Sequence, residues 1–171
     1  MSATYRIRQF LRAAGAWFRP EDSDCVRRYL PGAAADLFWG MPRYDRQHAY
    51  KVLHTLQGEG HSDPDLLAAA LLHDVGKTAQ PSAASRLAHR VAVVVLQAIQ
   101  PHLLEQIGQD RPGSWRRPFY TQRYHAIISA DLARGANCSA RTVELIRHHE
   151  DPSAAVDDPD LAALQAADSA N

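Results

Sequence analysis

Apolar residues recur along this chain at intervals of three and four, and each such run reads as one face of a helix. Ile7, Phe10, Leu11, Ala14 and Phe18 mark an amphipathic helix over residues 4–18, which Pro20 ends. Short helices are expected at 24–30 and 32–39. Over 45–57, Ala49, Val52, Leu53 and Leu56 share one side, and Gly58 and Gly60 close the run. Asp63 before Pro64 has the form of an N-cap with proline in the first turn. The spacing therefore predicts a helix over 63–74, stopped by Gly76. The stretch "RVAVVVL" is read as part of a helix over 85–99, on the length of that segment. An aromatic and basic loop, "RPGSWRRPFY" (111–120), follows. Helices resume at 121–134, at 140–150 behind the candidate N-cap Ser139, and at 160–169 behind Pro159. No pair of alternating segments reads as strands, so the expected fold class is all-α.

Polar residues interrupt these stripes where helical periodicity asks for apolar ones. His48 belongs with Ala49, Val52 and Leu56, and His125 shares a face with Ile128 and Leu132. His149 lies beside Leu145 and Ile146, and Asp168 follows Leu161 and Leu164 at helical spacing. The seven apolar residues 66–72 lead straight into His73 and Asp74. Taken singly, such a histidine is usually a hydrogen-bonded core residue and such an aspartate a solvated helix end. Gathered in one small helical core, they would strand several charges and donors. A divalent ion resolves the conflict, because neutral imidazole nitrogens and carboxylate oxygens are its ordinary ligands and helix bundles build metal sites from them.

Composition narrows the setting. The 171 residues suit one domain with a sizeable core and an extension. Formal net charge is zero, so no nucleic-acid partner is expected. The charge is nonetheless uneven. Residues 1–20 carry Arg6, Arg8, Arg12 and Arg19 with no acid, and residues 150–171 carry six acids with no Lys or Arg. Cys25 and Cys138 form no metal or redox spacing. The first residues lack the uninterrupted apolar core of a secretion signal. The longest apolar stretch, 91–104, is broken by Gln97, Gln100, Pro101 and His102. The expectation is a cytoplasmic protein without a membrane span, its N-terminal apolar stripe packed on the core rather than on lipid.

In this order and context the residues resemble the HD-domain metal-dependent phosphohydrolases, whose signature is His … His-Asp … Asp. His48, the pair His73–Asp74, and Asp168 match it. "RQHAYKVLHTL" is similar to the helix of the first histidine, "LLAAALLHDVGK" to the core motif with its lysine, and "LAALQAADSAN" to the helix of the last aspartate. The resemblance implies an HD-domain helical bundle over 41–171 with a variable insertion at 78–120; it does not account for residues 1–40, which are expected to form an N-terminal helical extension packed on the core. Part of the family binds two metals through histidines between the HD pair and the final aspartate. "YHAIISADLARGANCSARTVELIRHHED" is similar to that addition. It would make His125, His148 and His149 ligands of one ion, His48, His73 and Asp168 ligands of the other, and Asp74 the bridge. Helix geometry puts His149 on the apolar stripe and His148 about 100° away. His102 and His89 lie in the long gap before His125 as rival ligands. The histidine pair is followed by "EDPSAAVDDPD" and not by the Gly-Tyr-Pro loop of the cyclic-dinucleotide phosphodiesterases, so the resemblance does not carry their substrate.

The function so implied is hydrolysis of a nucleotide or other small phosphoester by a metal-activated water, with two divalent ions expected. Fe or Mn are the first choices, and Mg, Ni, Co or Zn remain open. Asp74 and Lys77 would serve the chemistry, and Lys77, Arg116 and Arg117 would hold the phosphate, with Trp115 available to stack on a base. Two other readings share these residues: a non-catalytic metal-binding module that senses a nucleotide, and a di-iron oxygenase.

Overall fold

The computed structural model describes residues 22–30, 32–79, 111, 114 and 117–171. The helices expected at 4–18 and 85–99 lie outside those residues. The described residues form seven α-helices and one 3-10 turn, with no strand among them, and the fold class is all-α. In chain order they are α1 (Ser23–Tyr29), α2 (Ala33–Gly40), α3 (Arg43–Gly58), α4 (Pro64–Leu72), the 3-10 turn (Val75–Ala79), α5 (Arg117–Gly135), α6 (Ala140–His148) and α7 (Pro159–Ser169).

Local chemistry sets most of these boundaries. Asp63 caps α4 by accepting from the N–H groups of Asp65 (2.9 Å) and Leu66 (3.0 Å). Ser139 caps α6 through the Thr142 N–H at 3.0 Å, and Asp158 caps α7 through the Leu161 N–H at 3.1 Å. Each cap satisfies a donor that the first helical turn leaves without a partner. At the far end of α3, His61 N–H donates to the Leu56 carbonyl (3.0 Å) and Gly60 N–H to that of Gln57 (3.1 Å). Gly60 adopts a φ of 93° there, a left-handed conformation that costs glycine nothing.

Helix α4 is the centre of the bundle. All seven residues from Leu66 to Leu72 are buried, and a helix apolar all round has to be covered on every side. Helices α1, α2, α3, α6 and α7 pack against it. Val26 and Leu30 of the first segment and Phe38 of α2 join the same core. Phe38 meets the Tyr50 ring edge-on with centroids 5.3 Å apart.

Three details differ from the expectation. Helix α4 ends at Leu72, with His73 as its C-cap, and the chain tightens into the 3-10 turn. Gly76 is no left-handed cap, since only Gly32 and Gly60 have positive φ among the described glycines. It is required for space. A Cβ on Gly76 would sit 2.6 Å from the His125 carbonyl oxygen and 2.9 Å from the Ser129 nitrogen, and the Gly76 N–H donates to Ser129 Oγ at 2.8 Å. Helix α5 starts at Arg117, so residues 117–120 are helical and not loop. Its buried face runs through His125, Ala126, Ser129, Ala130 and Ala133, while Leu132 is exposed. Small side chains, not large ones, line that face because the backbone of the 3-10 turn lies directly against it.

Candidate metal centre

The ends of the helices set the site. Helices α4 and α6 start together, where Ser139 Oγ donates to Asp65 Oδ1 (2.6 Å). Helices α6 and α7 are tied at their starts by Arg141, which donates twice to the Asp158 carboxylate (2.7 Å each). Their C-terminal ends therefore also converge, bringing His73 and Asp74, His149 and Asp168 to one pole. Carbonyl-rich helix ends favour a positive charge between them. His48 reaches this pole from the middle of α3 and His125 from the middle of α5.

Two groups of candidate ligand atoms result, and Asp74 belongs to both. The first holds His48, His73 and Asp74, and the second Asp74, His125 and His149, with the ligand atoms of each group within 4.8 Å of one another. Around the first, His73 Nε2 lies 3.3 Å from His48 Nε2, 3.7 Å from Asp74 Oδ2 and 3.5 Å from Asp168 Oδ1. His48 Nε2 is 2.8 Å from that same Asp168 oxygen. In the second, the other oxygen of Asp74, Oδ1, lies 3.4 Å from His125 Nε2 and 3.9 Å from His149 Nε2. The two carboxylate oxygens thus face two different sets of imidazoles.

Protonation is arranged for ligation. His73 Nδ1–H donates to the Ala70 carbonyl at 2.9 Å, and His149 Nδ1–H to the Ile146 carbonyl at 2.7 Å. In the neutral ring this leaves the lone pair on Nε2, pointing inward, as second-shell partners do for metal-bound histidines. Burial and the neighbouring His73 push the His149 pKa down to about 3, so the ring is neutral at physiological pH. Its buried Nε2 has no hydrogen-bond partner among the described residues. A lone pair aimed at a carboxylate oxygen across 3.9 Å is an arrangement that a cation relieves. Burial works against ionising Asp74, but His73, Lys77 and His125 outweigh it and hold its carboxyl well below the usual range. Asp168 is likewise held low, against burial, by His48 and His73. For His73, burial lowers and the two carboxylates raise, and the net shift is upward.

Of the expected ligands, the structure brings His48, His73, Asp74, His125, His149 and Asp168 together. His148 is in neither group. Half-buried in the last turn of α6, it sits about 100° round the helix from His149. Lys77 is close, but its ammonium lies 2.6 Å from Asp74 Oδ1 and is thus engaged with the carboxylate. Arg117 is half-buried at the first residue of α5. Arg116, Trp115, His89 and His102 lie outside the described residues. One residue at the site was not anticipated: Glu150, whose Oε1 is 3.4 Å from His125 Nε2. Its pKa is raised, by burial first and, with Lys77 opposing, by the Asp74 and Asp168 charges. The only signal in the sequence was its place directly after the histidine pair, which also describes an ordinary solvated helix end.

The donor set of imidazole nitrogens and carboxylate oxygens can hold a divalent metal ion. Comparison with family models, with curated proteins and with solved structures finds no match. No helix among the described residues is long and apolar enough to cross a membrane.

Proposed function

We propose that this chain is an HD-domain metal-dependent phosphohydrolase that cleaves a nucleotide or another small phosphoester at a dinuclear centre, with Fe or Mn the first choice of metal. One observation carries the reading: Asp74 lies between two sets of histidines, one carboxylate oxygen toward each, and belongs to both ligand groups. His48, His73, Asp74 and Asp168 would hold one ion, and Asp74, His125 and His149 the other. Ions so held would lower the pKa of coordinated water toward neutrality and neutralise charge on the phosphoryl oxygens.

The chain's own residues supply the rest. The Ala70 and Ile146 carbonyls keep the Nδ1 protons of His73 and His149 in place, so both rings present Nε2 to the centre. Lys77, its side chain about one-fifth exposed beside Asp74, can exchange that carboxylate for a phosphate oxygen of the substrate. Arg117, with Arg116 next to it in sequence, would add planar multi-donor groups for the remaining oxygens. Metal analysis of the purified protein followed by assays across a panel of nucleotides and phosphoesters tests the proposal. Bound divalent metal with metal-dependent phosphate release supports it. Protein that binds no divalent metal, or iron-dependent oxygen consumption without phosphate release, would sink it.

A further inference from the structure

The second ligand group has a feature that the HD-type ligand set does not use. We propose that Glu150 is a further metal ligand, joining Asp74, His125 and His149 in the position the sequence pattern gives to His148. The inference rests on the dinuclear reading above and adds to it one residue and one negative charge.

Distance comes first. Glu150 Oε1 lies 3.4 Å from His125 Nε2, and Asp74 Oδ1 lies the same 3.4 Å from that nitrogen. Atoms that share one ion at roughly 2.0–2.2 Å are themselves roughly 3–3.5 Å apart for angles between square and tetrahedral. Both carboxylates therefore stand at the separation expected of co-ligands of His125. Direction comes second. Asp74, His125 and His149 are buried, whereas the Glu150 side chain is half-exposed and comes in from the solvent side. The buried Nε2 of His149 lies 3.9 Å from Asp74 Oδ1 and has no hydrogen-bond partner among the described residues.

The position is also built rather than incidental. Gln165 of α7 donates from Nε2 to the carbonyls of His148 (3.1 Å) and Asp151 (2.8 Å). The Asp151 N–H donates to the His148 carbonyl at 2.9 Å. These bonds close the backbone turn that carries His149 and Glu150, so α7 fixes where the Glu150 side chain starts. The chemical consequence is a second group with two carboxylates and two imidazoles, a harder and more negative set than one with a third imidazole. Such a set favours Mn²⁺ or Fe²⁺ over softer ions.

The test is equilibrium dialysis of the metal-stripped full chain against Mn²⁺, with the visible absorption of the Co²⁺-loaded protein as a second readout of ligand type. Parent, Glu150→Gln, Glu150→Ala and His148→Ala are compared, and circular dichroism shows that each variant is folded. Both Glu150 variants are expected to weaken binding of one metal equivalent by about 10–100-fold and to change the cobalt spectrum, while His148→Ala matches the parent. Glu150 variants with the parent's affinities and spectrum overturn the assignment alone, as does loss of an equivalent in His148→Ala. A parent protein that binds no divalent metal overturns the dinuclear reading and this inference with it.

Discussion

The two poles of the bundle carry similar residues and treat them in opposite ways. At the pole where α4, α6 and α7 begin, the acids that cap or tie the helices have donors. Asp65 accepts from Ser139 and Thr142, and Asp158 accepts from Arg141 and the Leu161 N–H. Arg141 also reaches Asp160 at 3.2 Å. At the pole where those helices end, imidazole nitrogens crowd carboxylate oxygens and each other, and the buried His149 Nε2 has no hydrogen-bond partner among the described residues. The first pole is complete as protein. The second could hold a cation, because a buried acceptor without a donor, as at His149 Nε2, costs free energy that an ion would relieve. The contrast separates charged residues that build the fold from charged residues that could hold a metal ion, and it can be broken by variants at each pole.

The largest effect is expected at Asp74. In Asp74→Ala the Lys77 ammonium loses its carboxylate and both ligand groups lose their shared member. Breaking a pair this buried should cost about 3 kcal/mol of stability. Metal should also stop raising the melting temperature, as it should in the parent by mass action. Metal content and thermal denaturation with and without Mn²⁺ check both. Full metal occupancy in Asp74→Ala would remove Asp74 from the ligand set.

Gly76→Ala comes next and attacks the same pole through packing. The new Cβ would meet backbone atoms, the His125 carbonyl oxygen at 2.6 Å and the Ser129 nitrogen at 2.9 Å, which cannot swing away as a side chain can. Overpacking of this kind costs about 1–3 kcal/mol. Because α5 carries His125, its displacement should weaken metal binding as well. A urea midpoint equal to the parent's would mean that the turn and α5 can separate at no cost.

Sequence and structure agree where the signal is local. The caps Asp63 and Ser139 and the starts at Pro64 and Pro159 are short patterns with a direct physical effect, and they place α4, α6 and α7 within a few residues. His48, His73, Asp74, His149 and Asp168 were legible because each is polar on an otherwise apolar stripe. Helix α5 is less legible. Weighting the large residues Ile128 and Leu132 put its buried face one position off, since the close approach at Gly76 selects alanine and serine there. His125 survived that error because the faces overlap. The Arg141–Asp158 pair and the Glu150–His125 contact join residues 17 and 25 positions apart, and no local periodicity encodes such a pairing.

At the starting pole the expected effect is smaller and has a pH signature. Asp158→Ala removes both the α7 cap and the paired carboxylate of Arg141, a loss of about 1–2 kcal/mol. Metal binding should be unchanged. The Arg141 guanidinium holds the Asp158 pKa at about 2, below the roughly 3.9 of an unfolded aspartate. The folded-state value is depressed, so this stabilisation is full above about pH 4 and disappears as pH falls toward 2. Urea denaturation of parent and variant from pH 5 to pH 2 should therefore show two curves that converge on the acid side. Curves that stay parallel would remove Asp158 from the account of acid sensitivity.

The smallest effect is expected at Asp131, which tests whether charge pairing as such matters or only pairing at the poles. Asp131 accepts from Arg134 within α5 and from Arg147 of α6, both at 2.7 Å, so it bridges two helices much as Asp158 does. Its side chain is 57% exposed, however, against 20% for Asp158. Water screens an exposed pair and already solvates both partners, and such pairs contribute about 0–1 kcal/mol. Asp131 also caps no helix, so its removal leaves no backbone donor behind. Asp131→Ala should shift the urea midpoint by less than half the shift of Asp158→Ala, and salt should shrink the difference further. A loss equal to that at Asp158 would mean that the α5–α6 contact depends on this bridge. In that case His125 of α5 and His149, the C-cap of α6, should lose metal affinity together in the same variant.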